Sequence, residues 1–437
     1  MKILVLTNLY PPHHAGTYDF RCQTVTEALR SRGHEMRVIT SRHGLASEQR
    51  GEEVERRFHL NAVFDHSPVE HYGELRELER ANHQALRESL ERFRPDLIHV
   101  WSLAGLSKSL LFALRQSRLP TVYDVADDWL FAGIRHDPWL RWWNDPGANW
   151  SRAALELSGQ RNRLDALAPT RLMKGYERLP DVYGSDAAAG TVPPNSIAAF
   201  RFDRLYFCSQ ALKEETERAG FRVHHAEVIY PGLATQLYVD DIKPAAAPME
   251  KFLIVSRLNQ ASGVLTAVKA LLLARNNRIQ ASLSIYGKGD SDYIAELRSF
   301  VARNQLPVEF LSVSDIHRDL PSVYRRHDAL LYTAEWNEPY SFTPLEAMAC
   351  GLPVIGTPLG GAGELLRHGE NGFVYQAGSA EELATRLQEL QRQPALRCQM
   401  AEQAQQEVLS QYNETAVADR IENYLTTSLE VWQHAAS

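Results

Sequence analysis

Lys2-Ile3-Leu4-Val5-Leu6-Thr7 is an aliphatic run that does not alternate with polar residues. Such a run suits a strand buried on both faces, as in a parallel sheet. The loop Asn8-Leu9-Tyr10-Pro11-Pro12-His13-His14-Ala15-Gly16 follows. From Thr17, apolar residues recur at Phe20, Val25 and Leu29, which predicts a helix ending near Gly33. Residues 35–40 read as a second strand. Strand, helix and strand in this order make a βαβ unit, whose crossover favours a doubly wound α/β sheet.

The alternation continues downstream. Strands are expected at 96–101 and 121–125 with a helix around 103–116 between them, and again at 204–208 and 227–230. The stretch at about 129–200, rich in Trp, Pro, Gly and Asn, reads as a partly helical insertion. Pro231-Gly232 breaks the pattern, and residues 243–248 read as linker. A new strand at 252–256 and a helix at 265–273 restart it, followed by strands at 282–286, 329–332 and 354–356. With 437 residues, and domains of about 100–200 residues each, two domains are expected. Their boundaries are placed at 1–232 and 233–412, with a terminal helix in 413–437 carrying apolar Val417, Ile421, Tyr424 and Leu425. Both would be doubly wound and face each other, with ligands outside the carboxyl ends of the strands.

Hydrophobic residues at 44% and charged residues at 23% fit a globular protein. The net charge of −7 gives no basic face for a nucleic acid, so no nucleic-acid partner is expected. Cys22, Cys208, Cys350 and Cys398 show no CxxC or CxxH spacing, which fits a reducing compartment and argues against a structural metal. The first apolar run is too short for a signal peptide, and no stretch approaches the roughly 20 apolar residues of a membrane span. A cytoplasmic protein is expected, with peripheral contact at a membrane surface left open.

The segment most informative about function is Glu335-Trp-Asn-Glu338-Pro-Tyr-Ser341-Phe342-Thr343-Pro344-Leu345-Glu346-Ala-Met-Ala-Cys-Gly351. Thr343 is read as a helix N-cap, Pro344 as the first helical residue and Gly351 as the closing residue. The amides from Ser341 to Leu345 would then face outward, where a helix amino end attracts phosphate. Glu338 and Glu346 frame that end. On spacing alone Glu346 is equally a capping-box residue, and Glu338 a solvated loop acid.

The order of features from Arg257 to Gly372 resembles the retaining glycosyltransferases of group 1, or family 4, which have the GT-B fold. The shared features are Glu338 and Glu346 with seven residues between them, Gly351-Leu-Pro-Val-Ile355, Gly360-Gly361 with Glu364, Asn371-Gly372, and Gly287-Lys288-Gly289 after a strand. Tyr10-Pro11-Pro12 to Gly16 and Arg32-Gly33-His34-Glu35 extend the resemblance to the amino end. It implies two Rossmann-like domains facing across a cleft, with the terminal helix crossing back to the first. It implies a nucleoside-diphosphate sugar as donor substrate, and a sugar, a lipid-linked molecule or a small molecule as acceptor. No permanently bound cofactor and no metal are implied.

The resemblance also implies residue roles. Glu338 would contact donor-sugar hydroxyls and Glu346 the ribose diol. The main chain of Ser341, Phe342, Thr343 and Leu345 would hold the diphosphate, and Arg257 would neutralise it as it leaves. Gly16 and Gly287 would allow close approach, and Val313 would border the base. Asp127 would orient the donor sugar or the acceptor. It equally suits a cap on a neighbouring helix. Trp129, Trp139 and Trp142 are candidates to stack on an acceptor, or alternatively to pack on their own domain.

Two departures stand out. The family's second phosphate cation, a lysine, is replaced by Ser262, which leaves Lys288 as a conceivable substitute. Ala126 stands where the family often has histidine. These leave two further readings open: a weakly active or non-catalytic nucleotide-sugar-binding protein, and a sugar-nucleotide epimerase of the same fold. A pyridoxal-phosphate phosphorylase is disfavoured because no lysine lies in a convincing site. Asp290-Ser291-Asp292 has the spacing of a metal-binding triplet but is read as a helix start.

Overall fold

The computed structural model describes residues 1–64, 66–69, 71–130, 133, 137–139, 202, 204–221, 223, 226–311 and 316–436. Most of the insertion expected at 129–200 lies outside these residues. The chain forms two compact units, one of Met1–Ile229 with Ala418–Ser437 and the other of Tyr230–Val417. Among the described residues no helix is long and apolar enough to cross a membrane.

The first unit runs β1 (Lys2–Leu6), α1 (Thr17–Ser31), β2 (Glu35–Ser41), β3 (Gln49–Arg50), β4 (Val54–Phe58), α2 (Tyr72–Phe93), β5 (Leu97–Val100), α3 (Leu110–Ser117), β6 (Thr121–Val125), β7 (Leu205–Phe207), α4 (Gln210–Arg218) and β8 (Glu227–Val228). Its sheet has the order β3-β4-β2-β1-β5-β6-β7-β8 and is parallel except for β3 against β4. Ile3, Leu4, Val5 and Leu6 of β1 are fully buried, which contributes about 1.5–3 kcal/mol per side chain. β1 pairs β2 on one side and β5 on the other, so the strand order reverses at the β1 loop.

Three elements differ from what the sequence suggests. α3 begins only at Leu110, not near residue 103. The ammonium of Lys108 takes the carbonyls of Leu103 and Leu106 at 2.7 and 2.9 Å, so the preceding residues form turns. β4 has the unpromising sequence Val-Glu-Arg-Arg-Phe, yet Glu55, Arg56 and Arg57 are all buried. Glu55 is paired with Arg37, Arg57 and Arg92, and Arg56 donates to the carbonyl of Tyr10 at 2.8 Å. The long helix α2 carries its apolar stripe through Leu75, Leu86 and Phe93 among many charged residues.

The second unit runs α5 (Thr235–Tyr238), β9 (Lys251–Val255), a 3-10 turn (Gln260–Ser262), α6 (Val264–Asn276), β10 (Ser282–Tyr286), α7 (Ser291–Arg303), β11 (Val308–Leu311), α8 (Ile316–Arg325), β12 (Ala329–Tyr332), α9 (Thr343–Ala349), β13 (Val354–Gly356), α10 (Gly360–Gly363), β14 (Phe373–Val374), α11 (Ala380–Arg392) and α12 (Pro394–Gln411). The helix α13 (Glu414–Ala436) starts here and continues into the first unit. The sheet is parallel throughout, in the Rossmann order β11-β10-β9-β12-β13-β14. Alternate residues feed opposite faces. Ile254, Ile285, Leu331 and Ile355 join one core, while Leu253, Tyr286, Leu330 and Val354 join the other. The reversal lies between β9 and β12, so the loops after these two strands flank the switch point.

Candidate functional site

In the second unit the loops after β9, β10 and β12 are fastened to one another. Thr333 Oγ1, just past β12, donates to the carbonyl of Ser262 at 2.6 Å, and the Glu335 amide donates to Ala261 at 2.9 Å. Gly263 has φ +65° and its missing Cβ faces the Thr333 carbonyl, so no other residue fits there without backbone movement. Gly287 presses against the Ser256 carbonyl and Gly289 against the backbone of Leu258. Arg257 lies in this fastened edge, exposed; its carbonyl accepts the Ser256 hydroxyl at 3.1 Å, and its side chain makes no hydrogen bond or ion pair among the described residues.

Glu338 lies in the loop before α9. Tyr332 Oη donates to its Oε2 at 3.1 Å, and Oε1 has no partner among the described residues. Burial lifts this carboxyl above the usual carboxylate range, opposed by the Tyr332 bond. Its carbonyl accepts the Gly361 amide at 2.9 Å, and Gly360, with φ +63°, packs its α-carbon on the Glu338 backbone. The double glycine therefore fixes the Glu338 loop from behind.

The start of α9 is one residue earlier than the sequence suggests. Phe342 is the N-cap and Thr343 the first helical residue, its hydroxyl 3.0 Å from that of Ser341. No capping box forms, because Glu346 points elsewhere. Tyr238 Oη donates to Glu346 Oε1 at 3.0 Å and Tyr324 Oη to Oε2 at 2.7 Å. Burial raises the Glu346 carboxyl, and these two hydroxyls oppose the rise. Each oxygen keeps a second lone pair for another donor. Among the described residues the amides of Phe342, Thr343 and Leu345 find no acceptor, as the first turn of a helix requires.

Ser262 is buried, and its hydroxyl donates to the Asn259 carbonyl at 2.6 Å. It offers no charge and no free hydrogen to a ligand. Asp290 is the N-cap of α7, its Oδ1 accepting the amides of Asp292 and Tyr293 at 2.8 and 3.2 Å. Val313 lies outside the described residues.

In the first unit, Gly16 is the N-cap of α1 in extended conformation, and a Cβ placed on it would meet nothing within 4 Å. Asp19 accepts the amides of Ala15 and Gly16 at 2.7 and 3.3 Å, which shapes this loop. Asp127 follows β6 and accepts the Trp129 amide at 2.7 Å, an Asx-type turn. Burial, reinforced by Asp128 and Asp124, pushes its carboxyl up to about 6 against the Trp129 bond and Lys108. Trp129 and Trp139 do not offer faces to a ligand. They are 2% and 0% exposed, and Trp129 packs near Tyr123 and Phe202. Their apolar rings are spent on the core of their own unit. Trp142 lies outside the described residues. Gly16 and Asp127 thus sit after strands of the first unit, whereas Arg257, Glu338 and the start of α9 gather in the second.

Sequence reasoning missed Tyr238, Tyr324 and Tyr332, the three hydroxyls on the two carboxylates. No local signal marks them. Tyr238 and Tyr324 are 108 and 22 residues from Glu346 in sequence.

Two family models match the chain. One, described as glycosyl transferases group 1, matches residues 241–407, and the other, described as a glycosyl transferase 4-like domain, matches residues 16–160. The glycogen synthase of Mycobacterium tuberculosis is 28% identical over 219 residues, covering 49% of this chain and 52% of the relative. The chain thus aligns with about half the length of that relative. A D-inositol 3-phosphate glycosyltransferase of Rhodococcus opacus is 38% identical over 85 residues, 20% of this chain and 19% of its own. Among solved structures, the sucrose-phosphate synthase of Thermosynechococcus elongatus superposes with a TM-score of 0.65 at 19% identity, covering 100% of both chains. HepE of Anabaena, in complex with UDP and glucose, superposes with a TM-score of 0.62 at 22% identity, covering 98% of this chain and 99% of its own. At these identities the superpositions establish the fold.

Proposed function

As a member of the group 1 glycosyltransferases of the GT-B fold, this chain, we propose, moves a glycosyl group from a nucleoside-diphosphate sugar to an acceptor hydroxyl with retention at the anomeric carbon. The observation that carries this reading is the start of α9. Its amides at Phe342, Thr343 and Leu345 lack acceptors among the described residues, and the carboxylates of Glu338 and Glu346 bracket them in sequence. Amides and a helix dipole suit a diphosphate. A carboxylate with an oxygen to spare suits a sugar hydroxyl, and a second one held by two tyrosines suits a ribose diol.

Arg257, exposed beside this edge, neutralises the leaving diphosphate through its planar fork. Catalysis is then mostly positioning and charge stabilisation, with the leaving phosphate accepting the proton of the attacking hydroxyl on the same face of the sugar. Asp127 orients the acceptor or a donor hydroxyl. A glycan, a glycolipid or a small molecule serves as acceptor. UDP-glucose, bound in another HepE complex, is the first donor to try.

The test begins with thermal shifts of the purified protein against UDP-, GDP-, ADP- and dTDP-sugars. A donor at about a thousand times its dissociation constant stabilises by roughly 4 kcal/mol. Binding by none of them overturns the donor assignment. With a donor in hand, transfer to candidate acceptors is followed by NMR of the product. An inverted anomeric configuration overturns retention, and binding without transfer to any acceptor favours a purely binding role.

A further inference from the structure

The first unit gathers imidazoles at the carboxyl edge of its outer strands. β1, β2 and β4 are adjacent and parallel, so the loops that follow them are neighbours. His13 lies in the loop after β1, His43 in the loop after β2, and His59 and His66 in the loop after β4. His43 Nδ1 stands 3.0 Å from His66 Nε2, with ring centroids 5.2 Å apart and planes tilted by 53°. Both residues are partly exposed, so solvent reaches the pair. The His13 ring lies over Gly44, where a Cβ would strike it. His59 Nε2 is buried, has no hydrogen-bond partner among the described residues, and lies 4.0 Å from Glu48 Oε1.

The backbone on either side of the pair is pinned. The Arg42 amide donates to the Phe58 carbonyl at 2.9 Å and the Leu45 amide to the Arg42 carbonyl at 2.9 Å, which fixes the turn around His43. The His66 amide donates to the Val63 carbonyl at 2.9 Å, and Asn61 Oδ1 accepts the Val69 amide at 2.8 Å. Between Asn61 and His66, Ala62 and Phe64 have φ +59° and +49°, left-handed conformations that disfavour a residue with a Cβ. Such strain persists where the surrounding structure over-determines it, and it gathers at ligand clamps. Here it accompanies the packing of Phe64 on His43, at 6.2 Å between ring centroids, beside His66.

Two imidazole nitrogens that face each other at 3.0 Å share either a proton or a metal ion. Ligands at adjacent positions of one ion, bonded at about 2.0–2.1 Å, are themselves roughly 2.8–3.4 Å apart. The observed spacing falls in that range, so a small rotation of the rings admits the ion. We propose that His43 and His66 bind one divalent ion of the zinc, nickel and copper class, for which imidazole is a suitable ligand. Among the described residues no three His, Cys, Asp or Glu side chains are placed to hold one ion, so water completes the shell. Two protein ligands instead of four set a dissociation constant on the order of 1–100 µM. The ion ties the loop after β4 to the loop after β2. This site is independent of the donor-binding reading above.

Calorimetric titration of the full chain, free of any affinity tag, with Zn²⁺ and with Ni²⁺ tests the site. The variants are His43→Gln, His66→Gln and, as a control, His434→Gln in the last turn of α13. One ion per chain is expected in wild type and in the control, and affinity at least tenfold weaker in each loop variant. Melting curves without metal show whether each variant is folded. Electron paramagnetic resonance of Cu²⁺ bound to the wild-type chain judges the proposal even where a variant fails to fold. Its superhyperfine pattern should report two imidazole nitrogens. No binding of either metal below about 1 mM, undiminished affinity in either loop variant, or a copper signal with fewer than two imidazole nitrogens overturns the proposal. The donor-binding reading stands in all three cases, because no nucleotide enters the experiment.

Discussion

The hydroxyl of Tyr324 donates to Glu346 Oε2 at 2.7 Å, with both side chains buried in the second unit. Tyr238 occupies the other oxygen, so the carboxylate can turn only by breaking a bond. A hydrogen bond to a charged group contributes about 1.5–3 kcal/mol. Tyr324→Phe also removes an influence that holds the Glu346 carboxyl down, leaving burial to raise it further. The expected result is a KM for the donor raised about tenfold, with kcat little changed. A kcat loss at constant KM would place Tyr324 outside donor binding.

Asp127 makes stability depend on pH. Its folded value of about 6 lies above the ordinary aspartate value of 3.8, so the folded protein binds more protons between these limits. The stability it contributes is present below about pH 4 and lost as pH rises through 6. Asp127→Asn keeps an oxygen for the Trp129 amide and removes the titration. It should melt higher than wild type at pH 7.5, by about 1–3 kcal/mol, and equally near pH 4. Transfer activity should nevertheless fall if the carboxylate orients a substrate. Melting curves from pH 4 to 8 decide, and no gain at pH 7.5 rejects the prediction.

Gly360 and Gly369 separate two effects of glycine. Both have positive φ, +63° and +78°, but a Cβ at Gly360 would strike the Glu338 backbone whereas at Gly369 it meets nothing within 4 Å. Gly369→Ala should cost only the left-handed conformation, about 1 kcal/mol, and leave donor binding intact. Gly360→Ala should cost more and also displace Glu338, weakening the donor at least tenfold. Equal donor affinity in the two variants would show that the Glu338 loop is not fixed from behind.

The first unit holds a buried ion pair. Arg21 lies 2.9 Å from Asp124, the side chains are 3% and 0% exposed, and the guanidinium also lies 4.9 Å from the Trp101 ring. Tyr18 Oη adds a bond to Asp124 at 3.3 Å. Asp124→Asn leaves a buried cation without its partner and should destabilise by about 3–5 kcal/mol. Replacing both residues, as Arg21→Met with Asp124→Leu, should cost clearly less than the sum of the single changes. Additive losses in thermal melts would mean the two side chains are not coupled.

The two sheets were legible because their strands are short aliphatic runs separated by glycine-containing loops. Residues 2–7 and 252–256 needed no context. β4 was illegible for the opposite reason. Glu55, Arg56 and Arg57 look like surface residues until Arg37, Arg92 and the Tyr10 carbonyl are brought to them by the fold. At the candidate site the helix between Thr343 and Gly351 could be read from local signals, whereas Glu338 and Glu346 were singled out only by the resemblance, since spacing alone left a capping box and a solvated loop acid equally open. The hydroxyls that hold the carboxylates could not be read at all, since Tyr238 reaches Glu346 across 108 residues. Trp129 and Trp139 could be read either way, because an aromatic ring suits a sugar and a core equally well, and burial distinguishes the two.

The helix α13 has a practical corollary for anyone who wishes to cut the gene. Its first turn belongs with residues 230–417 and the remainder with residues 1–229. Arg32 binds Asp419 and Glu422 at 2.6 Å each, and Tyr424 Oη donates to the Leu205 carbonyl at 2.8 Å. Ile421 and Leu425 are fully buried. A fragment that stops at Ile229 would therefore expose the seat of this helix to solvent, and would be expected to aggregate. Expressing the first unit alone calls for a splice that carries residues 418–437 back to it, or for a circular permutation that makes the two pieces contiguous.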